Sequence, residues 1–463
     1  MSINGPLGAT TQPSGFELKT SAEAARTRSS RLGLAGLAGA VLLGALLSVS
    51  AARTSVPVLP AFLAPSIEGV FRNVDLHLPL YGVLASLSLM FVCYLIAVRS
   101  AERLSARTLL IAIAALNAII LLGPPLFSTD IFSYQGYARE WISYGTSPYL
   151  NGPTVIQLDP LYTYIGAKWI STPTVYGPLF TVLSGFLAHA SIAASMFWFK
   201  VIAAASSMIT VALIWHASRL RGLDPRRGVV LFGLNPLVIV YGVGGGHNDL
   251  LMLVGTTAAI WALLAHRERT SGALLMLATA IKLTAGLVLP FALAAGPELG
   301  AEKRRHKLLV GAGVTAAAIA AMSFALFGLG IFNLIPTLHL VQTEGDWHSL
   351  PGFVNVVLGH VVGQIVGILL GLVFVYAFVK LLRRVWRGEM DWLDGLGWAT
   401  LIMLVTASSV LPWYVAWLLP VVALCTDRRL WKWALIISGL LLFTTMLSYL
   451  PTGDTFLGIP IVP

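Results

Sequence analysis

Residues 108–127 read TLLIAIAALNAIILLGPPLF, and residues 128–140 continue directly with STDIFSYQGYARE. The first stretch is twenty residues without a charged side chain. At about 1.5 Å of rise per residue, a helix through it spans about 30 Å, the thickness of a bilayer's hydrocarbon core. The second stretch opens on two hydroxyls and a carboxylate, Ser128, Thr129 and Asp130, where the chain leaves that core. Lipid is therefore the solvent of this part of the protein, and an acid stands at its boundary.

Runs of the same kind recur along the chain. Apolar spans are expected at residues 32–50, 80–98, 108–127, 195–218, 228–244, 250–265, 308–329, 353–379 and 433–449. Two longer stretches, 271–295 and 395–425, are Pro-interrupted and read as bent spans or hairpins of short helices, broken near Pro290 and Pro412. The expected fold is all-α: a polytopic membrane protein of about 11–13 transmembrane helices. Residues 1–30 read as a disordered cytoplasmic tail and 31–463 as one integral-membrane domain. The tail is no cleavable signal peptide, whose apolar segment would lie nearer Met1.

Composition agrees. Of 463 residues 57% are apolar and 11% charged, with a mean hydropathy of +0.82. Soluble proteins carry about 25% charged residues, so a soluble enzyme, a disulfide scaffold and a disordered binder are excluded. Cys93 and Cys425 stand alone in or beside apolar runs and form no metal motif. The net charge of +10 invites a nucleic-acid reading, but its distribution decides otherwise. With the N-terminus in the cytoplasm, 24 of the 30 Lys and Arg fall in alternate, inner loops. The outer loops keep only Arg53, Arg72, Arg139 and Lys168; Lys200 and Lys282 lie within apolar segments. This orientation turns 128–194 into one large external loop, with a surface helix over 176–190, and 330–352 into a second. The expected location is the plasma membrane, multi-pass, with any active site on the extracytoplasmic side.

The informative polar residues gather on that side. Asp130, Tyr134 and Tyr137 are spaced to share one helix face. Either they belong to a capped juxtamembrane helix, or Asp130 is poised to take a proton from a hydroxyl nucleophile. Aromatics follow through the loop as an interfacial belt or as sugar-stacking surfaces. The turn 243–246 is Gly-rich and leads into His247, Asn248 and Asp249, three polar side chains at membrane depth. Lys282 stands in an apolar stretch with no acid within a helical turn, so it needs an anion, and a phosphate suits. Lys200, nearer a span end, is expected to snorkel. In the second outer loop Glu344 and Asp346 read as solvated, and His348 sits beside Trp347 at a membrane return. Pro412-Trp413-Tyr414-x-x-Trp417 puts aromatics and unpaired carbonyls at the boundary, as a belt or a lipid and sugar cleft.

Taken together, Thr129-Asp130-Ile131-Phe132-Ser133-Tyr134, Tyr176-Gly177-Pro178, Asn235-Pro236, Gly245-Gly246-His247-Asn248-Asp249 and Pro412-Trp413-Tyr414-x-x-Trp417 resemble the GT-C superfamily of membrane glycosyltransferases. More closely, the chain is similar to the polyprenyl-phosphate-mannose-dependent α-1,6-mannosyltransferases of actinobacterial lipomannan synthesis, over residues 108–420. The resemblance implies inverting transfer of a hexose, mannose, from a polyprenyl-phosphate sugar to a lipid-anchored glycan in the cell envelope. It implies a first-loop acid, here Asp130, as general base. Glu140 and Asp159 are the other acids of that loop, and neither sits in an adjacent motif. No metal and no cofactor are expected, the lipid-linked donor being a substrate; the partners are donor, acceptor and membrane lipids, not nucleic acid. Lys282, His247 and His348 are expected at the donor phosphate. Tyr134, Tyr137, Asn248, Asp249, Trp413, Tyr414 and Trp417 are expected around sugar and acceptor. The rival function is a transporter or flippase, which predicts a polar path to both faces.

Overall fold

The computed structural model describes residues 15–51, 67–296, 301–344 and 348–449, with the pairs 455–456 and 459–460. Residues 1–14 of the expected tail, Arg53, Asp346 and Trp347 lie outside these. The described chain is helical, apart from a two-residue antiparallel pairing of Thr455–Phe456 with Ile459–Pro460. In chain order the helices are α1 (Gly15–Ser50), α2 (Leu80–Ser100), α3 (Ala106–Leu122), α4 (Asp130–Ile142), α5 (Pro178–Gly185) and α6 (Ile192–Leu220). Next come α7 (Pro225–Gly233), α8 (Asp249–Leu264), α9 (Glu268–Ile281), α10 (Val288–Ala294), α11 (Ala301–Phe327) and α12 (Leu334–Glu344). The chain ends with α13 (Leu350–Leu358), α14 (His360–Trp386), α15 (Trp392–Thr406), α16 (Leu419–Val422) and α17 (Arg428–Ser448). The backbone is thus already helical from Gly15, inside the stretch read as a tail, and the membrane-length part of α1 is Ser30–Ser50.

The protein is a polytopic all-α membrane protein. Among the described residues six helices are long and apolar enough to cross a membrane, or seven if one bent pair counts as a span. Five further apolar helices are shorter, so length and composition alone give fewer crossings than eleven to thirteen. The periphery is apolar because it faces lipid: Val361, Ile368 and Leu372 of α14 are each more than 60% exposed. In water such a surface would be an association site; on a chain this apolar it is the lipid face.

Three expected spans break, two of them beside a proline and the third at Lys282. Residues 228–244, expected as one span, divide into α7 and a π-helical turn, Leu237–Val243, bent by 47°. Pro236 has no N–H to give, and the Asn235 side chain takes over: its Oδ1 accepts from Leu237 N–H at 2.9 Å. Its amide donates to Tyr94 and Ser438, so Asn235 ties α2, α7 and α17 together rather than facing a ligand. The stretch 271–295 breaks at Lys282, not at Pro290. Pro290 lies in the first turn of α10, where a missing N–H is tolerated. Lys282 is extended, with φ −150° and ψ 125°. The break near Pro412 is where expected: α15 ends at Thr406, and Pro412 opens a 3₁₀ helix, Pro412–Trp417. The span expected at 353–379 begins later, as α14, because the chain turns at Gly359 after the short α13.

Lys200 does not snorkel. Its side chain is fully buried, and its ammonium donates to the carbonyls of Ile120, Gly123 and Pro124 at 2.8, 2.5 and 2.8 Å. It caps the end of α3, where unpaired carbonyls and the helix dipole favour a cation. Lys200→Met is expected to lower stability by about 3 kcal/mol, because three buried carbonyls lose a charged donor. Thermal unfolding in detergent checks this; an unchanged midpoint would show that the carbonyls find other partners.

Candidate active site

The segment that Lys200 anchors leads to Asp130. Phe127 adopts a left-handed backbone (φ 54°), which an L-residue holds only under tertiary constraint. Its ring stacks on Tyr241 at 4.8 Å. Leu126 N–H donates to the carbonyl of Gly244, so this segment is bonded to the Gly-rich turn. Asp130 then starts α4, its N–H donating to Ser128 Oγ at 3.1 Å. Trp169 donates a side-chain hydrogen bond to the Asp130 carboxylate, and His247 Nδ1 lies 3.5 Å from its Oδ2.

A second carboxylate lies beside the first, from a different part of the chain. Asp249, the first residue of α8, is 2% exposed. Its Oδ1 accepts from Lys282 Nζ at 2.7 Å and from Trp417 Nε1–H at 2.6 Å. The anion that Lys282 needs is therefore a protein carboxylate 33 residues earlier, brought in by packing of α8 on α9. The ammonium also lies 4.7 Å from the Tyr414 ring and 5.2 Å from the Trp417 ring. Side chains three apart eclipse in a 3₁₀ helix, which is why Tyr414 and Trp417 stack at 4.1 Å. The Tyr-Gly-Pro turn abuts this point: Gly177 N–H donates to the carbonyl of Ile281, and a Cβ on Gly177 would run into the carbonyl of Ala280. Glycine is required there for the loop to reach the residue preceding Lys282.

Asp130, Asn248, Asp249, Lys282, His348, Trp413, Tyr414 and Trp417 line one cavity of about 1050 Å³. That is the upper end of typical small-molecule sites, with room for more than one sugar. Apolar side chains also line it, among them Leu338 and Val341 of α12, Phe353 and Val356 of α13, and Met403 and Leu404 of α15. Three expected residues stand behind this wall. Tyr134 and Tyr137 are buried in packing: Tyr134 is edge-on to Tyr176, and Tyr137 O–H donates to Thr172. The shared helix face points into the protein, since neighbouring aromatics cover it. His247 is 1% exposed and stacked behind Trp413 at 3.6 Å, so the phosphate contact expected of it is not open to it. His348 is on the wall, 3.3 Å from Ser448 Oγ.

Neither remaining loop acid is in the site. Asp159 pairs with Arg139 at 2.5 Å and accepts from Tyr144 O–H. Glu140 is fully buried with both carboxyl oxygens unpaired, and burial pushes its carboxyl up to about 9. Lys168, Trp169 and Tyr176 also line the wall; the sequence marked them only as part of an aromatic-rich loop that could be an interfacial belt or a sugar-stacking surface, and did not single them out as site residues. The available signal was that Lys168 is one of only four outer cations. Among the described residues no group of three His, Cys, Asp or Glu side chains could hold a metal ion.

The electrostatics separate two roles. Burial pushes the Asp130 carboxyl up to about 6, with a further push from Asp249, against the pull of Lys282 and Lys168. A carboxylate of that basicity is ionised at neutral pH and able to accept a proton. Burial holds His247 down at about 3, so its ring is neutral. Asn248 has both side-chain polar atoms buried and unpaired, on the cavity wall. Such atoms suit a ligand's hydroxyls, since a buried polar group without a partner is costly.

The family model for alpha-(1->6)-mannopyranosyltransferase, N-terminal domain, matches residues 31–297, and that for glycosyltransferase family 87 matches residues 174–448. Each covers more than half of the chain. The sequence is 28% identical to alpha-(1->6)-mannopyranosyltransferase A of Mycobacterium tuberculosis, over 67% of this chain and 64% of that protein. It is 25% identical to alpha-(1->6)-mannopyranosyltransferase B of Corynebacterium glutamicum, over 73% of this chain and 63% of that protein. It is 28% identical to a probable alpha-(1->6)-mannopyranosyltransferase of Mycolicibacterium smegmatis, over 66% and 63%. The chain spans just under two thirds of the length of these relatives.

Proposed function

Because the chain belongs to the alpha-(1->6)-mannopyranosyltransferase family of glycosyltransferases, we propose that it moves a mannosyl residue from a polyprenyl-phosphate donor to a lipid-anchored glycan. The transfer is at the extracytoplasmic face of the plasma membrane, with inversion. The observation that carries this reading is a single cavity lined both by the carboxylates of Asp130 and Asp249 with the Lys282 ammonium and by apolar side chains of α12, α13 and α15. That combination suits a substrate whose reacting head is polar and whose tail is lipid.

In the reaction an acceptor oxygen bonds to the anomeric carbon as the bond from that carbon to the phosphate oxygen breaks. Asp130 takes the hydroxyl proton. The electron pair leaves with the phosphate, which goes from a singly charged diester to a doubly charged monoester. Lys282 faces that growing charge and stabilises it more in the transition state than in the ground state. Asp249 and the rings of Tyr414 and Trp417 hold the ammonium in place, and Asn248 hydrogen-bonds the sugar.

The test is incubation of purified protein with synthetic polyprenyl-phosphate mannose and candidate acceptors. Release of polyprenyl phosphate coupled to formation of an α-1,6 product supports the proposal; donor movement across a vesicle membrane without release would favour a flippase. The pH profile is also expected to carry a signature. Asp130 must be ionised, so kcat/KM is expected to fall as pH drops below about 6. An acid limb at the ordinary carboxylate value near 4 would remove Asp130 as the base.

A further inference from the structure

The histidine behind the cavity wall is in contact with the one group the chemistry turns on. We propose that His247 is a positioning residue for the proposed transfer: its ring orients the Asp130 carboxylate from behind, and Gly245 and Trp413 lock that ring in place. The proposal rests on the reading of Asp130 as general base.

Five observations carry it. The His247 side chain is fully buried, and its Nδ1 lies 3.5 Å from Asp130 Oδ2. Neither ring nitrogen has a hydrogen-bond partner, and the polar group that its Nδ1 approaches is the Asp130 carboxylate. The ring is stacked on Trp413 at 3.6 Å and 18°, and Trp413 itself walls the cavity. On the other edge a Cβ on Gly245 would sit 2.6 Å from His247 Nε2, so only glycine leaves space for the ring. The backbone is held as well, His247 N–H donating to the Gly242 carbonyl at 2.9 Å.

A buried imidazole with unpaired nitrogens is destabilising, so its place beside a carboxylate asks for a purpose. With the proton on Nδ1 the ring donates to Asp130 once a hydroxyl binds and the contact tightens. That leaves the other carboxylate oxygen free for the acceptor's proton. His247 does not take the proton onward: burial holds it far below neutral pH, and Lys282 pushes the same way. The charged groups bearing on Asp130 are Lys282, Lys168 and Asp249, with Trp169 donating to it. Those bearing on His247 are Asp249 and Lys282, with Asp130 in contact.

The experiment compares pH profiles of kcat, which report the substrate-bound enzyme, for wild type, His247→Phe, His247→Gln and Asp130→Asn with polyprenyl-phosphate mannose. Phenylalanine keeps the stacked ring and deletes the donor; glutamine restores an N–H. His247→Phe is expected to lose about 10²-fold in kcat with donor KM little changed, and to shift the acid limb upward by about one pH unit. His247→Gln is expected to recover part of both. An acid limb unmoved in His247→Phe, or equal loss in Phe and Gln variants, overturns the proposal. If the phenylalanine variant does not fold, His247→Met is read the same way. Asp130→Asn separates the two claims: full activity there sinks the base assignment itself, whereas a dead Asp130→Asn with an unmoved limb in His247→Phe sinks only the role of His247.

Discussion

Asp130→Asn is expected to cut mannosyl transfer by about 10³-fold or more while making the protein harder to unfold at pH 7.5. The rate loss follows from removing the proton acceptor, which general-base catalysis prices at about 10²–10⁴-fold. The gain in stability follows from linkage. The native carboxyl titrates at about 6 because it is buried, whereas in the unfolded chain it titrates at its ordinary value of 3.8. Between those values the native state holds more protons than the unfolded one, so stability falls as pH rises, and above about pH 6 the full penalty is present. The shift is equivalent to about 3 kcal/mol. Asparagine still accepts from Trp169 without carrying the charge. Thermal unfolding in detergent should therefore show a higher midpoint for Asp130→Asn at pH 7.5 and no difference at pH 4. A variant that is inactive and also less stable at pH 7.5 would mean that Asp130 is a structural anchor, not a strained base.

The second large effect concerns Lys282 and Asp249. Lys282→Met strands the Asp249 carboxylate, whose side chain is 2% exposed, and is expected to cost about 3–5 kcal/mol. Asp249→Asn strands the ammonium and should cost a similar amount. Removing both charges leaves a neutral pair, so the double variant is expected to unfold closer to wild type than either single one. Activity should not follow stability. Transfer is expected to remain lost in every variant without Lys282, with weaker donor binding and unchanged acceptor binding in any residual turnover. The cycle thus separates holding the fold from holding the phosphate. If the double variant regained transfer together with stability, Lys282 would serve only as the counter-ion of Asp249.

Much of this architecture is legible residue by residue. The uncharged run 108–127, and its repetition between basic clusters, is enough for a polytopic all-α membrane protein, because insertion depends on local hydropathy. The break at Pro412 is local chemistry too. The break at Lys282 was not legible, since nothing in Leu274–Leu289 except the lysine itself forbids a continuous helix. It opens because Lys282 reaches Asp249 and because the Gly177 turn bonds to the Ile281 carbonyl, and both partners come from other parts of the chain. Lys200 shows the same limit. From sequence it is a lysine near a span end, and only the fold shows three carbonyls converging on it.

The polar motifs were visible as candidates, but their sides were not. Helical spacing correctly grouped Asp130, Tyr134 and Tyr137, yet periodicity cannot say which neighbour a face meets. Tyr134 and Tyr137 meet aromatics, and Asp130 meets the cavity.

Sequence alone determined that the chain lives in lipid and which few polar residues sit within or beside its apolar stretches, because those properties depend on local composition. Tertiary structure alone decided that Lys282 is paired, that His247 faces Asp130 and not solvent, and that Trp417 completes the Asp249 site. Each of these depends on groups far apart in the chain, such as the 168 residues between Asp249 and Trp417. A charge buried at such a depth is tolerated only where packing delivers its partner.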